Sequence, residues 1–215
     1  RIPRKNIKAF CGKPMIAWSI DAALKSGCFD RVIVSTDDNE IAQVALSYGA
    51  EVPFIRPIWL AGDDLGNNPV IKHAVSSIID DVCNLGFVCC IYATAPFVTP
   101  DDLKRGLETL VSTGSDFSFA VTSYAFPIQR AIRINSENII EMVNPEHFHT
   151  RSQDLDEVWH DAGQFYWGKA EAWLNEGLSF GAKSSPLILP RYQVQDIDTY
   201  EDWRRAELLF KALYS

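Results

Sequence analysis

Short runs of β-branched and apolar residues alternate with amphipathic stretches of helical length through the first half of this sequence. The pattern predicts strands at residues 31–35, 51–54, 87–92 and 117–122, and helices at residues 15–26, 39–48, 70–81 and 101–112. Such alternation is typical of an α/β fold in which a mostly parallel sheet is covered by helices on both faces. Ligands of these folds bind beyond the carboxyl ends of the strands, where residues 36–38 and 93–96 follow two of the predicted strands.

The regular alternation fades after residue 124. Two short strands at residues 131–134 and 139–142 flank a turn, and helices are predicted again only at residues 169–176 and 201–214. We therefore expect one domain over residues 1–215, with residues 124–167 forming a β excursion within it.

Composition excludes several classes of protein. The chain has 215 residues, of which 47% are hydrophobic, and this is enough for one large packed domain. A net charge of -8 argues against a nucleic-acid partner, and no apolar run is long enough to predict a membrane span. The five cysteines show no metal-binding spacing, so we expect free thiols in a reducing cytoplasm. No G-x-G-x-x-G follows a strand, which disfavours a dinucleotide-dependent dehydrogenase.

Asp196 and Asp198 lie on either side of Ile197 near the end of the sequence. In an extended segment alternate side chains share a face, so the two carboxylates would lie side by side and repel one another unless a cation sits between them. A hard divalent ion such as Mg²⁺ suits these oxygen ligands. The segment also fits a turn before the last helix, with Asp198 or Thr199 as the N-cap. The motif alone leaves both interpretations open.

Positive charge is concentrated at the front of this acidic chain, where Arg1, Arg4, Lys5, Lys8 and Lys13 follow closely on one another. Such a cluster suits a polyphosphate, and it equally fits a solvated basic tail. The turn-rich segment 62–68 predicts a loop that covers a substrate.

Several short motifs, taken together and in order, resemble one known family. They are residues 2–7 (IPRKNI), 12–14 (GKP), 29–38 (FDRVIVSTDD), 49–54 (GAEVPF), 56–57 (RP), 92–97 (YATAPF), 151–155 (RSQDL), 160–167 (HDAGQFYW) and 195–199 (QDIDT). The first five resemble the CMP-sialic acid synthetases, a family of cytidylyltransferases. The last four resemble the branch of that family that acts on pseudaminic acid. The resemblance covers essentially the whole chain.

The resemblance implies a fold and a reaction. The fold would be a Rossmann-like, GT-A-like nucleotidyltransferase with three layers and a mostly parallel sheet. The reaction would transfer CMP from CTP to the anomeric hydroxyl of a nonulosonic acid, here pseudaminic acid, with Mg²⁺ as the cofactor and pyrophosphate as the second product. The resemblance also implies a homodimer, in which the excursion of residues 124–167 reaches the partner's site, and it implies no nucleic-acid or membrane partner.

The same resemblance assigns roles to individual residues. Asp196 and Asp198 would hold Mg²⁺, and Lys5 would bind phosphate and take part in catalysis. The nucleotide would be contacted by Lys5, Asn6, Arg56, Asn68 and Tyr92. Because a guanidinium binds a carboxylate through two parallel hydrogen bonds, Arg151 is the first choice for the carboxylate of the sugar acid. The other sugar-binding residues would be Gln129, Arg130, Asp161 and Gln164, with Phe165 and Tyr166 as walls of the pocket.

Structural interpretations stand beside these roles. Arg130 and Arg151 fit surface ion pairs, His160 and Asp161 fit a structural polar pair, and residues 165–167 fit a core strand.

The chain departs from the family at two places. Only the tail of the family's nucleotide loop is present, ending at Lys5 and Asn6, so we expect the natural protein to carry a preceding strand and the front of that loop. Leu65–Asn68 replace a threonine-glycine-threonine of the branch. The alternatives are a cytidylyltransferase for N-acylneuraminate or 3-deoxy-octulosonate, and a non-catalytic nucleotide-binding module.

Overall fold

The computed structural model describes residues 2–62, 65–78, 85–175, 177–181 and 183–214. Its described helices are α1 (Met15–Ser26), α2 (Asn39–Ser47), α3 (Asn67–Ile78), α4 (Pro100–Thr113), α5 (Ala170–Asn175) and α6 (Tyr200–Tyr214). Its described strands are β1 (Ala9–Phe10), β2 (Lys13–Pro14), β3 (Phe87–Ile91), β4 (Phe117–Ser123), β5 (Ile132–Ile134), β6 (Ile140–Met142), β7 (Trp159–Lys169) and β8 (Ser184–Ile188).

The central sheet has the strand order β3-β7-β4-β8. Strand β7 runs antiparallel to both of its neighbours, whereas β4 and β8 pair in parallel. Three of the four strands therefore point the same way, and the sheet is mixed rather than built of parallel neighbours throughout. The reason is that β7 follows the β excursion instead of a crossover helix, and a parallel pair requires such a crossover whereas an antiparallel pair does not.

Helices cover both faces of this sheet, which gives the three layers expected of the fold. On one face, Leu103 and Leu110 of α4 pack with Phe165 and Trp167 of β7. On the other face, Ile71 and Val75 of α3 and Trp173 of α5 pack with Tyr166 of β7 and the phenylalanines of β4. Because successive side chains of a strand point to opposite faces, residues 165–167 serve both cores in turn.

The predicted helices are confirmed, with small changes at their ends. Helix α1 has the predicted bounds and ends at Gly27, whose φ of 66° is the left-handed conformation of a C-cap. Helix α3 begins three residues earlier than predicted, because its Pro69 lies in the first turn, where a missing N–H costs nothing. The predicted end of that helix, residues 79–81, lies outside the described residues.

The sheet was predicted less well than the helices. Residues 31–35 and 51–54 form no strands of their own and meet only in an isolated parallel bridge between Ile33 and Glu51. Strand β8 and the short hairpin of β1 and β2 were not predicted. The two short strands predicted within the excursion form a separate two-stranded sheet of β5 and β6. The last part of the predicted excursion, residues 159–167, instead belongs to β7 of the central sheet.

None of the described helices has the length and apolar character that crossing a membrane requires. Cys11, Cys28, Cys89 and Cys90 are free thiols, and burial raises the pKa of Cys90 to about 12, so this thiol stays protonated.

Candidate active site

The segment that carries Asp196 and Asp198 is anchored from two sides. Ile197 is fully buried against Phe10, Trp203 and their neighbours, while both aspartates are exposed, which is the alternation that the sequence predicts. Lys5 holds the segment from the other end of the chain, because its Nζ donates to the carbonyl of Ile197 and lies 3.0 Å from Oδ1 of Asp198. The structure thus brings together three of the residues that were predicted to act at the phosphates.

A capping box fixes the chain immediately after this segment. Thr199 is the residue before α6. Its N–H and its hydroxyl both donate hydrogen bonds to Oδ2 of Asp202, each at 2.8 Å. The hydroxyl in turn accepts from the N–H of Asp202 at 3.2 Å. These bonds hold the pKa of Asp202 below its usual range. The N-cap prediction is therefore confirmed for Thr199. The side chains of Asp196 and Asp198 do not cap the helix.

An irregularity in β7 aims two further predicted side chains. In the ladder between β4 and β7, Phe119 pairs with Tyr166 and Val121 pairs with Asp161. Residues 162–165 therefore bulge out of this ladder. Gly163 takes a φ of 62° within the bulge, and its N–H donates to Oδ1 of Asp161 at 2.8 Å. The bulge brings the side chains of Asp161 and Tyr166 together, so that the Tyr166 hydroxyl donates to Oδ2 of Asp161 at 2.5 Å.

A cleft of about 570 Å³ lies between these elements. Four predicted site residues line it, namely Tyr92, Asp161, Tyr166 and Asp196. Its other lining residues had no predicted role, and they include His160 and Arg205. The cleft therefore joins the motifs of residues 92–97, 160–167 and 195–199, which are far apart in the sequence.

Tyr92 and Tyr166 lie side by side in the cleft and take part in its hydrogen bonds. Their ring centroids are 5.3 Å apart, and burial raises the pKa of both hydroxyls. The hydroxyl of Tyr92 accepts a hydrogen bond from the side-chain amide of Asn67. Both hydroxyls are therefore neutral hydrogen-bonding groups at ordinary pH. Asn67 was missed in the sequence, because nothing there distinguishes it from Asn68.

The side chain of His160 forms no hydrogen bond with the carboxylate of Asp161. Its Nδ1 lies 2.8 Å from the backbone carbonyl of Asp161, and its ring packs on Tyr124 at 4.7 Å between centroids. The side chains of His160 and Asp161 therefore do not pair with each other in this structure, and the role of Asp161 stays a prediction.

Three predicted sugar-binding residues lie in the excursion and do not line the cleft. Arg151 binds its neighbour Asp154 through two hydrogen bonds of 2.7 and 3.2 Å, and its side chain is 71% exposed. Arg130 contacts the Ser152 hydroxyl at 3.5 Å, and Gln129 donates to the Asp156 carbonyl at 3.0 Å. In this structure Arg151 forms a surface ion pair with Asp154, and its assignment to the carboxylate of the sugar acid stays a prediction.

Three other residues with predicted ligand contacts, Phe165, Gln164 and Asn68, do not line the cleft in this structure. Phe165 is completely buried beneath α4, because the alternation of β7 turns it to the face opposite Tyr166. Gln164 is 3% exposed, and its amide donates to the Gln193 carbonyl at 2.6 Å. Asn68 uses both ends of its amide on the backbone of Leu178, at 3.2 and 3.1 Å, and so it ties α3 to the segment after α5.

The predicted nucleotide contacts near the front of the chain lie outside the lining of the cleft. Arg56 donates to Asp37 at 2.8 Å, which joins it to the segment at residues 36–38, and its Nε is buried with no hydrogen-bond partner. Asn6 shares a turn of 3-10 helix with Lys5.

The other basic residues near the front of the described chain contact side chains of the protein. Arg4 binds Asp38 and Glu40, Lys13 binds Asp21, and Lys8 lies over the rings of Tyr200 and Trp203. The described part of the basic cluster is thus engaged in contacts within the protein.

A second cavity, of about 610 Å³, lies beside the first and contains none of the predicted site residues. Arg105 and Asp102, which line it, are paired with each other at 2.9 Å. The two cavities are neighbours along two segments of the chain. Trp159 and Gln193 line the second cavity, whereas the next residues, His160 and Val194, line the first.

Comparison with known proteins agrees with this geometry. Residues 1–209 match the family model described as cytidylyltransferase. Two proteins of Campylobacter jejuni named pseudaminic acid cytidylyltransferase are 46% and 44% identical to the chain, and each alignment covers 98% of this chain and 91% of the relative. A solved structure of CMP:2-keto-3-deoxy-manno-octonic acid synthetase complexed with CTP superposes with a TM-score of 0.69 at 14% identity, over 99% of this chain and 94% of that one. The chain belongs to the cytidylyltransferase family, and it is a nucleotidyltransferase.

Proposed function

We propose that this enzyme transfers CMP from CTP to the anomeric hydroxyl of a nonulosonic acid, and that its preferred acceptor is pseudaminic acid. One observation carries the proposal: Asp196, from the predicted metal motif, lines the same cleft as Tyr92, Asp161 and Tyr166. The two relatives named for pseudaminic acid support the choice of acceptor.

We also propose that Asp196 and Asp198 hold Mg²⁺. No group of three or more potential metal-ligating residues occurs in the described part of the chain, so the protein alone does not form a closed metal cage. The two exposed carboxylates nevertheless fit Mg²⁺, which is commonly bound by one or two carboxylates together with substrate phosphates and water. The ion, when bound, would neutralise charge on the phosphates of CTP.

The remaining roles belong to the side chains of this protein. In the reaction, a bond forms between the C2 oxygen of the sugar acid and the α-phosphorus, and the bond from that phosphorus to the pyrophosphate leaving group breaks. Positioning is the main requirement of such a step. Tyr92, Asp161 and Tyr166 would hold the sugar by hydrogen bonds. Lys5, beside Asp198, would stabilise charge at the phosphates, while Asn6 and Arg56 would contact the nucleotide.

We propose further that the enzyme is a homodimer in the cytoplasm. The excursion exposes apolar side chains to solvent, among them Phe126, Ile134 and Phe148. A concentration of exposed apolar side chains in one segment is typical of an interface. Free thiols among the described cysteines support a reducing compartment.

Substitution of Asp196 by asparagine tests the reaction at this site. The asparagine keeps the oxygen that accepts the N–H of Ile197 at 2.9 Å, so the segment should retain its shape. Loss of the charge should lower pyrophosphate release from CTP and pseudaminic acid by about 100-fold or more. The matched control is Glu201→Gln, which removes an exposed carboxylate outside the lining of the cleft. Release by Asp196→Asn near the wild-type rate, across a titration of Mg²⁺, would refute the assignment.

A further inference from the structure

Gln164 is a buried polar residue that connects two sides of the cleft. Its side chain is 3% exposed, and its Nε2 donates to the backbone carbonyl of Gln193 at 2.6 Å. We infer that Gln164 is a positioning residue, which holds the segment that leads to Asp196 in a fixed place relative to Asp161 and Tyr166. This inference rests on the proposed function, because it concerns the geometry in which that reaction would occur.

The bulge in β7 supports this connection from the side of the strand. Residues 162–165 leave the ladder with β4, but the backbone carbonyl of Gln164 accepts a hydrogen bond from the N–H of Tyr92, directly after β3, at 2.8 Å. The neighbouring residues Tyr92, Gly163 and Tyr166 all line the cleft. The backbone of Gln164 is therefore held within the part of the cleft that carries the two tyrosines.

The segment on the other side has few attachments of its own. It leaves the central sheet at Leu189 and is next anchored by the buried Ile197. Among the described residues, Gln164 is the one side chain from outside residues 190–196 that hydrogen-bonds to their backbone. Its bond reaches Gln193, three residues before the first carboxylate of the predicted metal site.

The other end of the Gln164 amide indicates what this residue contributes. Its Oε1 is buried and accepts no hydrogen bond from the described residues. A buried amide oxygen without a donor opposes folding, and an apolar side chain of similar length would avoid that cost. Stability alone would therefore not favour an amide at this position. What the amide supplies is its hydrogen bond to Gln193.

The proposed reaction makes the distance across the cleft decisive. Of the contacts to the sugar acid, those from this subunit would come from Tyr92, Asp161 and Tyr166, whereas the α-phosphate would lie at the end of the cleft with Asp196. A displacement of about 1 Å between reacting groups can lower a rate by about 100-fold. Each substrate would still find its own contacts if the two sides moved apart, so loss of the connection should lower turnover rather than binding.

The test compares Gln164→Met with Thr122→Val. Methionine fills a similar space without the amide, so kcat should fall by about 10-fold or more, while KM for CTP and for pseudaminic acid should each change by less than about twofold. Gln164→Leu, measured in parallel, should show the same pattern. Thr122 is the matched control, because it is 2% exposed and its hydroxyl donates to the Leu189 carbonyl at 2.9 Å. Thr122→Val thus removes a buried bond to the chain before Gln193, outside the cleft, and kcat should stay close to that of the wild type.

Two kinetic results would overturn the inference. If kcat of Gln164→Met and Gln164→Leu fell no further than kcat of Thr122→Val, the hydrogen bond to Gln193 would have no role beyond stability. If KM for pseudaminic acid rose while kcat stayed unchanged, the amide would contact the acceptor itself, as the sequence analysis predicts.

Hydrogen exchange tests the connection apart from turnover. In Gln164→Met without substrates, the backbone amides of residues 193–197 should exchange faster than in the wild type, whereas those of α4 should not change, because the lost bond holds that segment alone. Thr122→Val should leave exchange in residues 193–197 unaltered. Unchanged exchange there in Gln164→Met would refute the role of Gln164, and so would an equal acceleration in α4. Failure of the wild-type enzyme to release pyrophosphate would instead count against the proposed function.

Discussion

At the scale of single residues, Arg4 and Asp38 show how the front of the chain is attached to the body. The Arg4 guanidinium donates to both carboxylate oxygens of Asp38, at 2.9 and 3.2 Å, while Asp38 also caps the first turn of α2. The bond from Arg4, followed by the backbone bonds of the cap, lowers the pKa of Asp38 to about 2. Lys5, the next residue, contacts Asp198, so this attachment also positions the candidate site.

The lowered pKa of Asp38 predicts a dependence of stability on pH. A carboxyl group whose pKa is lower in the folded state stabilises the protein above its ordinary pKa of 3.8, and this stabilisation is lost as the pH falls towards about 2. Asp38→Asn keeps the N-cap but removes the charge. The difference in urea unfolding midpoint between the two proteins should therefore narrow as the pH is lowered through this range. A difference that stays constant with pH would contradict the ion pair.

The residues of the site differ in how far the sequence could predict them. Asp196 and Asp198 were predictable, because their exposure depends on local alternation around one buried isoleucine. The burial of Phe165 and the position of Arg205 in the lining of the cleft were not predicted, because the side of a strand or helix that meets the cleft depends on the bulge in β7 and on the docking of α6. Neither of these is encoded in the local pattern.

At the scale of elements, helix α4 packs closely against β7 at Gly106. Gly106 faces the strand, and a Cβ there would lie 2.7 Å from Cε2 of Phe165 and 2.8 Å from Cδ1 of Trp167. The Trp167 ring cannot retreat freely, since its Nε1 donates to the Leu103 carbonyl at 2.9 Å and its face stacks on Phe29. The absence of a side chain at Gly106 thus allows β7 to carry its bulge close to the helix.

This packing predicts that Gly106→Ala destabilises the protein. In an exposed helix the change would be favourable, because alanine has the higher helix propensity. Here the added methyl group should cost about 1–3 kcal/mol of unfolding free energy through overpacking. Lys104→Ala, at an exposed position of the same helix, should stay within about 0.5 kcal/mol of the wild type. Urea unfolding measures both, and a stabilised Gly106→Ala variant would show that the contact is loose.

The elements themselves were predicted unevenly, for physical reasons. Helices such as α1 and α4 carry their own caps, Gly27 and Thr99, so their limits can be recognised in the sequence. Only residues 165–167 of β7 have the composition of a buried strand, because the rest of the strand contains two glycines and several polar residues. Residues 31–35 have the composition of a strand, but among the described residues they pair only with the segment at Glu51.

At the scale of the whole molecule, the excursion predicts the assembly. Phe126 and Ile134 are 83% and 67% exposed, and we expect a second copy of the chain to cover them. Phe126→Asp and Ile134→Asp should shift the protein from dimer to monomer in size-exclusion chromatography with light scattering. Leu208→Asp is the control, because it places the same charge on an equally exposed apolar position of α6. A wild-type protein that is monomeric at micromolar concentration would contradict the proposed dimer.

The measurement that tests the account most directly compares pseudaminic acid with N-acetylneuraminic acid as acceptors, each with CTP and Mg²⁺, by pyrophosphate release and by the mass of the CMP-sugar. We predict formation of CMP-pseudaminic acid, with kcat/KM at least about 100-fold above that for the other acid, a discrimination within reach of a few hydrogen bonds. Turnover of N-acetylneuraminic acid alone would contradict the choice of acceptor. No pyrophosphate release with either acid, from a protein that binds CTP, would contradict the proposed reaction and favour a non-catalytic nucleotide-binding module.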